Sequence, residues 1–259
     1  MIFFIRFFVF ISGLSVGSFL NCIICRLEKE ESIKGRSYCP KCGHILSFLD
    51  LFPLLSFLFL KGKCRYCKKK ISFQYPLVEI ITGIVFLLIF NYQLSFSSDL
   101  WSFGFIFNFL SLIIISSFLI IVFIYDFKHF LIPDFAVYSL VAVASVYSFL
   151  NGNFINGLFS ATACFLFFLA VFLITRGKGM GFGDVKLSFF IGFFLGYPNF
   201  LISLFASFLI GAIIGVGLIA IKKKNLKSEV PFGPFLIIGT VIAFLFGEVI
   251  ADYYISLLL

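Results

Sequence analysis

Residues 102–126 read SFGFIFNFLSLIIISSFLIIVFIYD: no charged side chain stands between Ser102 and Tyr125, and the run ends on an acid, Asp126. A hydrocarbon core about 30 Å thick takes roughly 20 helical residues to cross. The run is long enough, and it lacks the polar face that a helix lying against water would need. The whole chain has the same character. Of 259 residues 61% are hydrophobic, 20% aromatic and only 12% charged, and the mean hydropathy is +1.14. A soluble domain carries about 25% charged residues, so the composition implies an all-α polytopic membrane protein. Seven Cys, sparse and odd in number, exclude a secreted disulfide scaffold, and the hydrophobicity excludes a disordered chain.

Further apolar runs at roughly 7–25, 77–91, 135–150, 157–175, 187–197, 199–221 and 234–255 join 102–125 to give eight expected transmembrane helices, two of them short. The break before the seventh is inferred at Tyr197, Pro198 and Asn199, because Pro blocks helix continuation and Asn tolerates tight turns. Lys and Arg test the count, since short cytoplasmic loops collect them. Residues 26–70 hold eleven, among them Arg26 and Lys34; Lys128 adds one; Arg176, Lys178 and Lys186 add three; Lys222, Lys223, Lys224 and Lys227 add four. Eight spans with the N-terminus outside put all nineteen on the cytoplasmic side and leave only Arg6 as an exception. The net charge of +8 therefore reads as topology with some attraction to anionic lipid. No aromatic-and-basic stripe argues for a nucleic-acid partner. The N-terminal run is expected to be a span and not a cleaved signal, since Asn21–Cys25 makes a poor small-residue cleavage site. The organisation expected is a first transmembrane helix over 1–25, a cytoplasmic loop over 26–76 and a helical membrane domain over 77–259.

That loop contains Cys39-Pro40-Lys41-Cys42 and Cys64-Arg65-Tyr66-Cys67. Two such pairs can place four thiolates at tetrahedral corners around a zinc ion, and a cytoplasmic location disfavours disulfides. Four sulfur ligands leave no open position, so the metal would be structural and its binding would fold a loop poor in core. Between the pairs, residues 47–60 are apolar but too short, and too broken by Asp50 and Pro53, to span; they are expected in the membrane interface. Cys22, Cys25 and Cys164 read as small hydrophobes on helices, His44 as a loop residue beside a finished site, and His129 as a solvated residue at a loop end.

Acids in or beside spans are functional candidates, because charge near the bilayer centre is costly. Asp126 closes the third span, and Asp184 opens the sixth within Gly179-Met180-Gly181-Phe182-Gly183-Asp184-Val185-Lys186. The chain crosses twice between them, so both fall at one face and could meet. Two carboxylates in one site do not both ionise easily: one keeps its proton while the other takes a proton from water. That is aspartic-protease chemistry, and Gly181 and Gly183 would let a substrate backbone approach. Asp at a helix start is also an ordinary cap, the reading given to Asp134 after Pro133. Asp99 and Glu229 read as solvated loop charges.

The chain resembles the type IV prepilin peptidases, the prepilin leader peptidase and N-methyltransferase family. The resemblance runs nearly end to end: Gly17-Ser18-Phe19-Leu20-Asn21 with Arg26-Leu27, Cys39 to His44, Pro53-Leu54-Leu55-Ser56, Lys63 to Cys67, Tyr75-Pro76-Leu77-Val78-Glu79, Asp126 with Ile132-Pro133-Asp134, Gly181 to Leu187, and Pro231-Phe232-Gly233-Pro234-Phe235-Leu236. It departs at Gln74, where Arg is expected, and at Cys22 and Cys25, where aliphatic or aromatic residues are usual. The resemblance implies that Asp126 and Asp184 are the catalytic pair of a membrane aspartyl protease, supported by Gly181, Gly183, Lys186, Pro133 and Asp134. It implies removal of a short basic leader from prepilin or pseudopilin precursors, after the leader's terminal Gly, at the cytoplasmic face of the bacterial inner membrane. It also implies methylation of the new N-terminus with S-adenosylmethionine. Two alternatives are a signal-peptide-peptidase-like protease, whose Pro-Ala-Leu is absent here, and an ion- or proton-coupled transporter using the intramembrane acids.

Overall fold

The structure, a computed structural model, describes residues 2–33, 35–96, 99–220 and 230–258. Lys34, Lys222, Lys223, Lys224, Lys227, Glu229 and the last residue of the 199–221 run lie outside the described residues. Every expected apolar run is a helix: α1 (Ile2–Leu27), then after the loop and its five-residue α2 (Leu55–Phe59), α3 (Gln74–Phe96), α4 (Phe103–His129), α5 (Asp134–Leu150), α6 (Phe154–Thr175), α7 (Phe182–Leu195), α8 (Asn199–Ala220) and α9 (Gly233–Leu258). Six of these, α1, α3, α4, α6, α8 and α9, are long and apolar enough to cross a bilayer. The chain is a multi-pass membrane protein. No strand is present among the described residues; the loop holds two isolated bridges, Tyr38 with Ile45 and Lys63 with Lys70.

Helix ends follow local chemistry. At the end of α6, Arg176 takes a left-handed conformation (φ 51°), and Gly177 donates its N–H back to the Phe172 carbonyl, which satisfies carbonyls the last turn leaves open. Gly181 then caps α7 in an extended conformation. Beyond α4, Phe130 has φ 56°, and Pro133 disfavours helix in the residue before it.

The chain divides into two compact units at Ile120–Ile121, inside α4. In the first, α1 packs on α3 through small residues: a Cβ on Gly17 would lie 2.7 Å from the Glu79 Cα, and one on Gly13 would lie 2.7 Å from the Gly83 Cα. Close backbone approach of this kind is how membrane helices gain packing energy without a hydrophobic drive. Arg26, at the end of α1, is only 4% exposed. Its guanidinium donates to the carbonyls of Ser32, Ile33, Gly35 and Arg36. Counting Arg26 as a topological charge therefore missed a structural clamp on the loop's entry.

In the second unit, α7 touches α5, α6, α8 and α9. Val185, Leu187, Ser188 and Phe190 on it are fully buried, so most of this 14-residue helix faces protein. Gly192 sits where α7 meets α6: a Cβ there would stand 2.6 Å from the Ala161 Cα. Gly192→Ala is expected to destabilise the protein by about 2 kcal/mol, read as a lower thermal midpoint in detergent. Gly239 of α9 is equally tight, its Cβ position 2.5 Å from the Ser203 carbonyl oxygen, and Ser203 reaches Thr240 across the same seam at 3.4 Å.

Candidate functional site

The second unit brings Asp126 and Asp184 to one corner. Asp126 lies in the last turn of α4 and is 5% exposed. Its Oδ2 accepts the backbone N–H of Gly233, the first residue of α9, at 3.0 Å. An unsatisfied N–H at a helix start is a natural anchor for a carboxylate. Asp184 lies in the first turn of α7 and is 7% exposed. Its Oδ1 is buried and has no hydrogen-bond partner among the described residues, and Asp184 feels the charge of Asp126. Ile132 links the two sides: a Cβ on Gly183 would lie 2.9 Å from the Ile132 Cβ, and one on Gly233 would lie 3.3 Å from the Ile132 Cδ1. A Cβ on Gly181 would stand 3.6 Å from Asp184 Oδ2. Both acids and the glycines around them are thus gathered without a side chain larger than hydrogen at three of the flanking positions.

The remaining expected residues hold helix starts in register. Pro133, not Asp134, is the N-cap residue of α5. Asp134 accepts from Lys186 Nζ at 2.6 Å, an ion pair joining the first turns of α5 and α7. The reading of Asp134 as a cap is corrected: its oxygen goes to a lysine on another helix. Lys186 also lies 5.2 Å from the Phe182 ring centroid and 5.9 Å from that of Tyr138. With the Asp134 side chain more than half exposed, the pair contributes at most about 1 kcal/mol, so its work is alignment. His129 is the last residue of α4 and is exposed, as expected of a residue at a loop end, with its ring 4.7 Å from that of Tyr125. Sequence alone gives Gly233 and Ile132 no role; the fold joins Gly233 to Asp126 across 107 positions and sets Ile132 against Gly183 and Gly233.

In the first unit, Cys39, Cys42, Cys64 and Cys67 form a cluster whose sulfurs all lie within 4.8 Å of one another, and all four are free thiols. A tetrahedral zinc with sulfur at about 2.3 Å needs sulfurs about 3.8 Å apart, so the donor set fits a metal. The two knuckles are built alike. Cys39 N–H donates to the His44 carbonyl and Cys64 N–H to that of Lys69, each at 2.9 Å. The residue after each second cysteine has positive φ, Gly43 at 72° and Lys68 at 58°. Burial pushes the Cys64 thiol up, but N–H groups of Cys67 and Tyr66 and the neighbouring Cys39 and Cys67 side chains bring it down to about 7. At Cys42 the His44 backbone acts downward, but burial and the Cys39 and Cys67 thiols push it up to about 11. His44 packs against Tyr66, ring centroids 3.6 Å apart and planes tilted by 35°.

Asp50 fastens the intervening segment to the second knuckle. Its carboxylate accepts Arg65 Nε at 2.6 Å, the Tyr66 hydroxyl at 3.1 Å and the Ser47 hydroxyl at 2.8 Å. Burial alone would raise Asp50, but hydrogen bonds from Ser47, Arg65 and Tyr66 outweigh it and hold the carboxyl below its ordinary 3.8. A depressed folded value means the clamp is fully present above the unfolded pKa and is lost as pH falls through the lower, folded one. Asp50→Asn is expected to cost the loop about 2 kcal/mol, seen as faster limited proteolysis between residues 47 and 66 at neutral pH.

Residues 11–93 match the model of the bacterial peptidase A24 N-terminal domain, and residues 113–216 match that of the type IV leader peptidase family. A Bacillus subtilis protein is 36% identical over 97% of this chain and 98% of its own length. One from Aeromonas salmonicida is 32% identical over 97% and 94%, and one from Pseudomonas aeruginosa 32% identical over 94% and 91%. Each carries the name prepilin leader peptidase/N-methyltransferase. No solved structure matches.

Proposed function

The chain belongs to the type IV leader peptidase family, and on that premise we propose that Asp126 and Asp184 are the catalytic pair with which this peptidase cuts prepilin-like precursors. The observation that carries the reading is the unspent acceptor at Asp184: a buried carboxylate oxygen with no partner among the described residues, beside an Asp126 already oriented by Gly233. Buried polar atoms are almost always satisfied, and an acceptor left over in this way suits a water or a substrate amide. One carboxylate takes the proton of an attacking water while the other, protonated, donates to the scissile carbonyl. As the tetrahedral adduct collapses, the proton goes to the leaving amine. Gly181 leaves room beside Asp184 for the extended backbone of the precursor, while Gly183 lets Ile132 pack against the start of α7. Pro133, Asp134 and Lys186 are positioning residues, fixing the starts of α5 and α7.

The substrate in this reading is a pilin or pseudopilin precursor, cut after the terminal Gly of its basic leader, just ahead of its own hydrophobic helix. Cleavage at the cytoplasmic face of the bacterial inner membrane, with the N-terminus of α1 outside, follows from the charge distribution. Lys and Arg in the loops repel a basic leader within a Debye length of about 8 Å, so selection rests on the precursor's helix and its Gly junction. The relatives' name carries N-methylation as well, and we extend it to this chain with S-adenosylmethionine as methyl donor; no residue is assigned to that step. Purified protein in lipid, given a prepilin-like precursor with and without S-adenosylmethionine, tests both activities. Loss of the leader mass supports the peptidase, gain of one methyl group on the new N-terminus supports the transferase, and an intact precursor counts against the reading.

The four-Cys cluster is proposed to hold a structural zinc. About one zinc per chain is expected, since four thiolates close the coordination sphere. Cys64→Ser should lose the metal and open residues 37–72 to protease, because binding energy is folding energy in a loop so poor in core. Wild-type protein that is protease-resistant and metal-free would refute the assignment.

A further inference from the structure

The segment between the two cysteine pairs presents its largest apolar side chains outward. Phe48 is 75% exposed, Phe59 83% and Phe73 79%, with Leu49, Leu55 and Leu58 also exposed. Two ring pairs lie among them: Phe48 packs edge-on to Phe52 at 5.2 Å, and Phe57 to Phe73 at 5.6 Å. The outward direction is imposed at two points. Asp50 is tied to Arg65 and Tyr66 of the second knuckle. Leu54 is held at φ 58° with its N–H donated at 2.9 Å to Glu79 Oε2, a buried carboxylate of α3. Strained backbone persists only where its surroundings over-determine it. These two ties fix how the segment is mounted on the module.

Two observations name what covers the surface. Phe73 immediately precedes Gln74, where the spanning helix α3 begins, so the surface is continuous with the point at which the chain enters the bilayer. Lys61, Lys63, Lys68, Lys69 and Lys70 follow the apolar segment directly, and all are exposed. Apolar side chains backed by lysines are the pattern of an element that lies in the headgroup region and attracts anionic lipid. We infer that residues 48–60 with Phe73 form a rigid plate inserted into the acyl boundary of the bilayer, docking the four-Cys module on the membrane surface through anionic headgroups. The plate does not depend on the peptidase activity proposed above.

The test places a single tryptophan in the plate, Phe59→Trp with the natural Trp101 changed to Phe, in full-length, metal-loaded protein in nanodiscs. The plate predicts loss of most of the Trp emission when the discs contain shallow-brominated phosphatidylcholine, and almost none with aqueous iodide. Replacing part of the phosphatidylcholine by phosphatidylglycerol should deepen the bromine quenching, and the triple change Lys61→Gln, Lys69→Gln, Lys70→Gln should remove that dependence. Leu58→Trp in the same background repeats the measurement from a neighbouring site, and an unchanged zinc content shows the module is folded. Strong iodide quenching with no bromine effect would overturn the plate. Iodide quenching in discs that vanishes only on adding a prepilin-like precursor would also overturn it, giving the surface to substrate, and protection from both quenchers would give it to a second copy of the chain. Lipid-charge dependence that survives the triple change would overturn the headgroup contact.

Discussion

Asp184→Asn and Asp126→Asn are each expected to lower leader cleavage by about 10²–10⁴-fold, to the floor of a gel or mass assay, with the thermal midpoint nearly unchanged. Asn matches Asp in shape, and an asparagine in place of Asp126 can still offer an oxygen to the Gly233 N–H that now meets the carboxylate at 3.0 Å. What the amide cannot do is accept a proton from water or give one to a carbonyl and later recover it. Each acid is needed in a different protonation state during one turnover, so the double variant should be no slower than either single one, as groups acting as a unit are not additive. Substitution of Asp134 by Asn is the informative contrast. It breaks the ion pair to Lys186 but leaves both buried acids in place, so it should impair cleavage far less.

Gly233→Ala is expected to cost about 10²-fold in kcat, the penalty for moving a reacting group by about 1 Å. The new methyl would lie 2.6 Å from Asp126 Oδ2 and 3.3 Å from Ile132 Cδ1. Either the carboxylate turns away or the start of α9 withdraws, and both lose the N–H bond that orients Asp126. Because precursor contacts elsewhere are untouched, KM should move little. Gly215→Ala on α8 is the control: no atom lies within 4 Å of its Cβ position, and activity should be unchanged. A Gly233→Ala enzyme with full kcat would show that the orientation of Asp126 is irrelevant to turnover.

The uninterrupted run from Ser102 to Tyr125 made a membrane helix legible without any structure, and paired cysteines at matched spacing did the same for the cluster. Less visible was what surrounds each helix. The 187–197 run reads as a short span, but hydropathy cannot tell lipid from protein neighbours, and only the structure shows that α7 packs against four other helices. Arg26 and Lys186 entered the charge count as side-marking residues. Burial against four carbonyls makes the first a clamp, and an acid on α5 makes the second an alignment pair. The place of Gly233 could not be read locally at all: its N–H meets a carboxylate 107 residues away, a relation that the Pro-Phe-Gly-Pro motif marks without explaining.

Two buried acids on α4 and α7 cutting a precursor between its leader and its helix is the central claim. The most direct measurement is the product mass when wild type, Asp126→Asn and Asp184→Asn proteins, in matched lipid discs, meet one prepilin-like precursor. Wild type is expected to give a product cut after the leader's terminal Gly and both variants to leave the precursor uncut, all three showing the same thermal midpoint. A variant that releases the leader at the wild-type rate would contradict the claim.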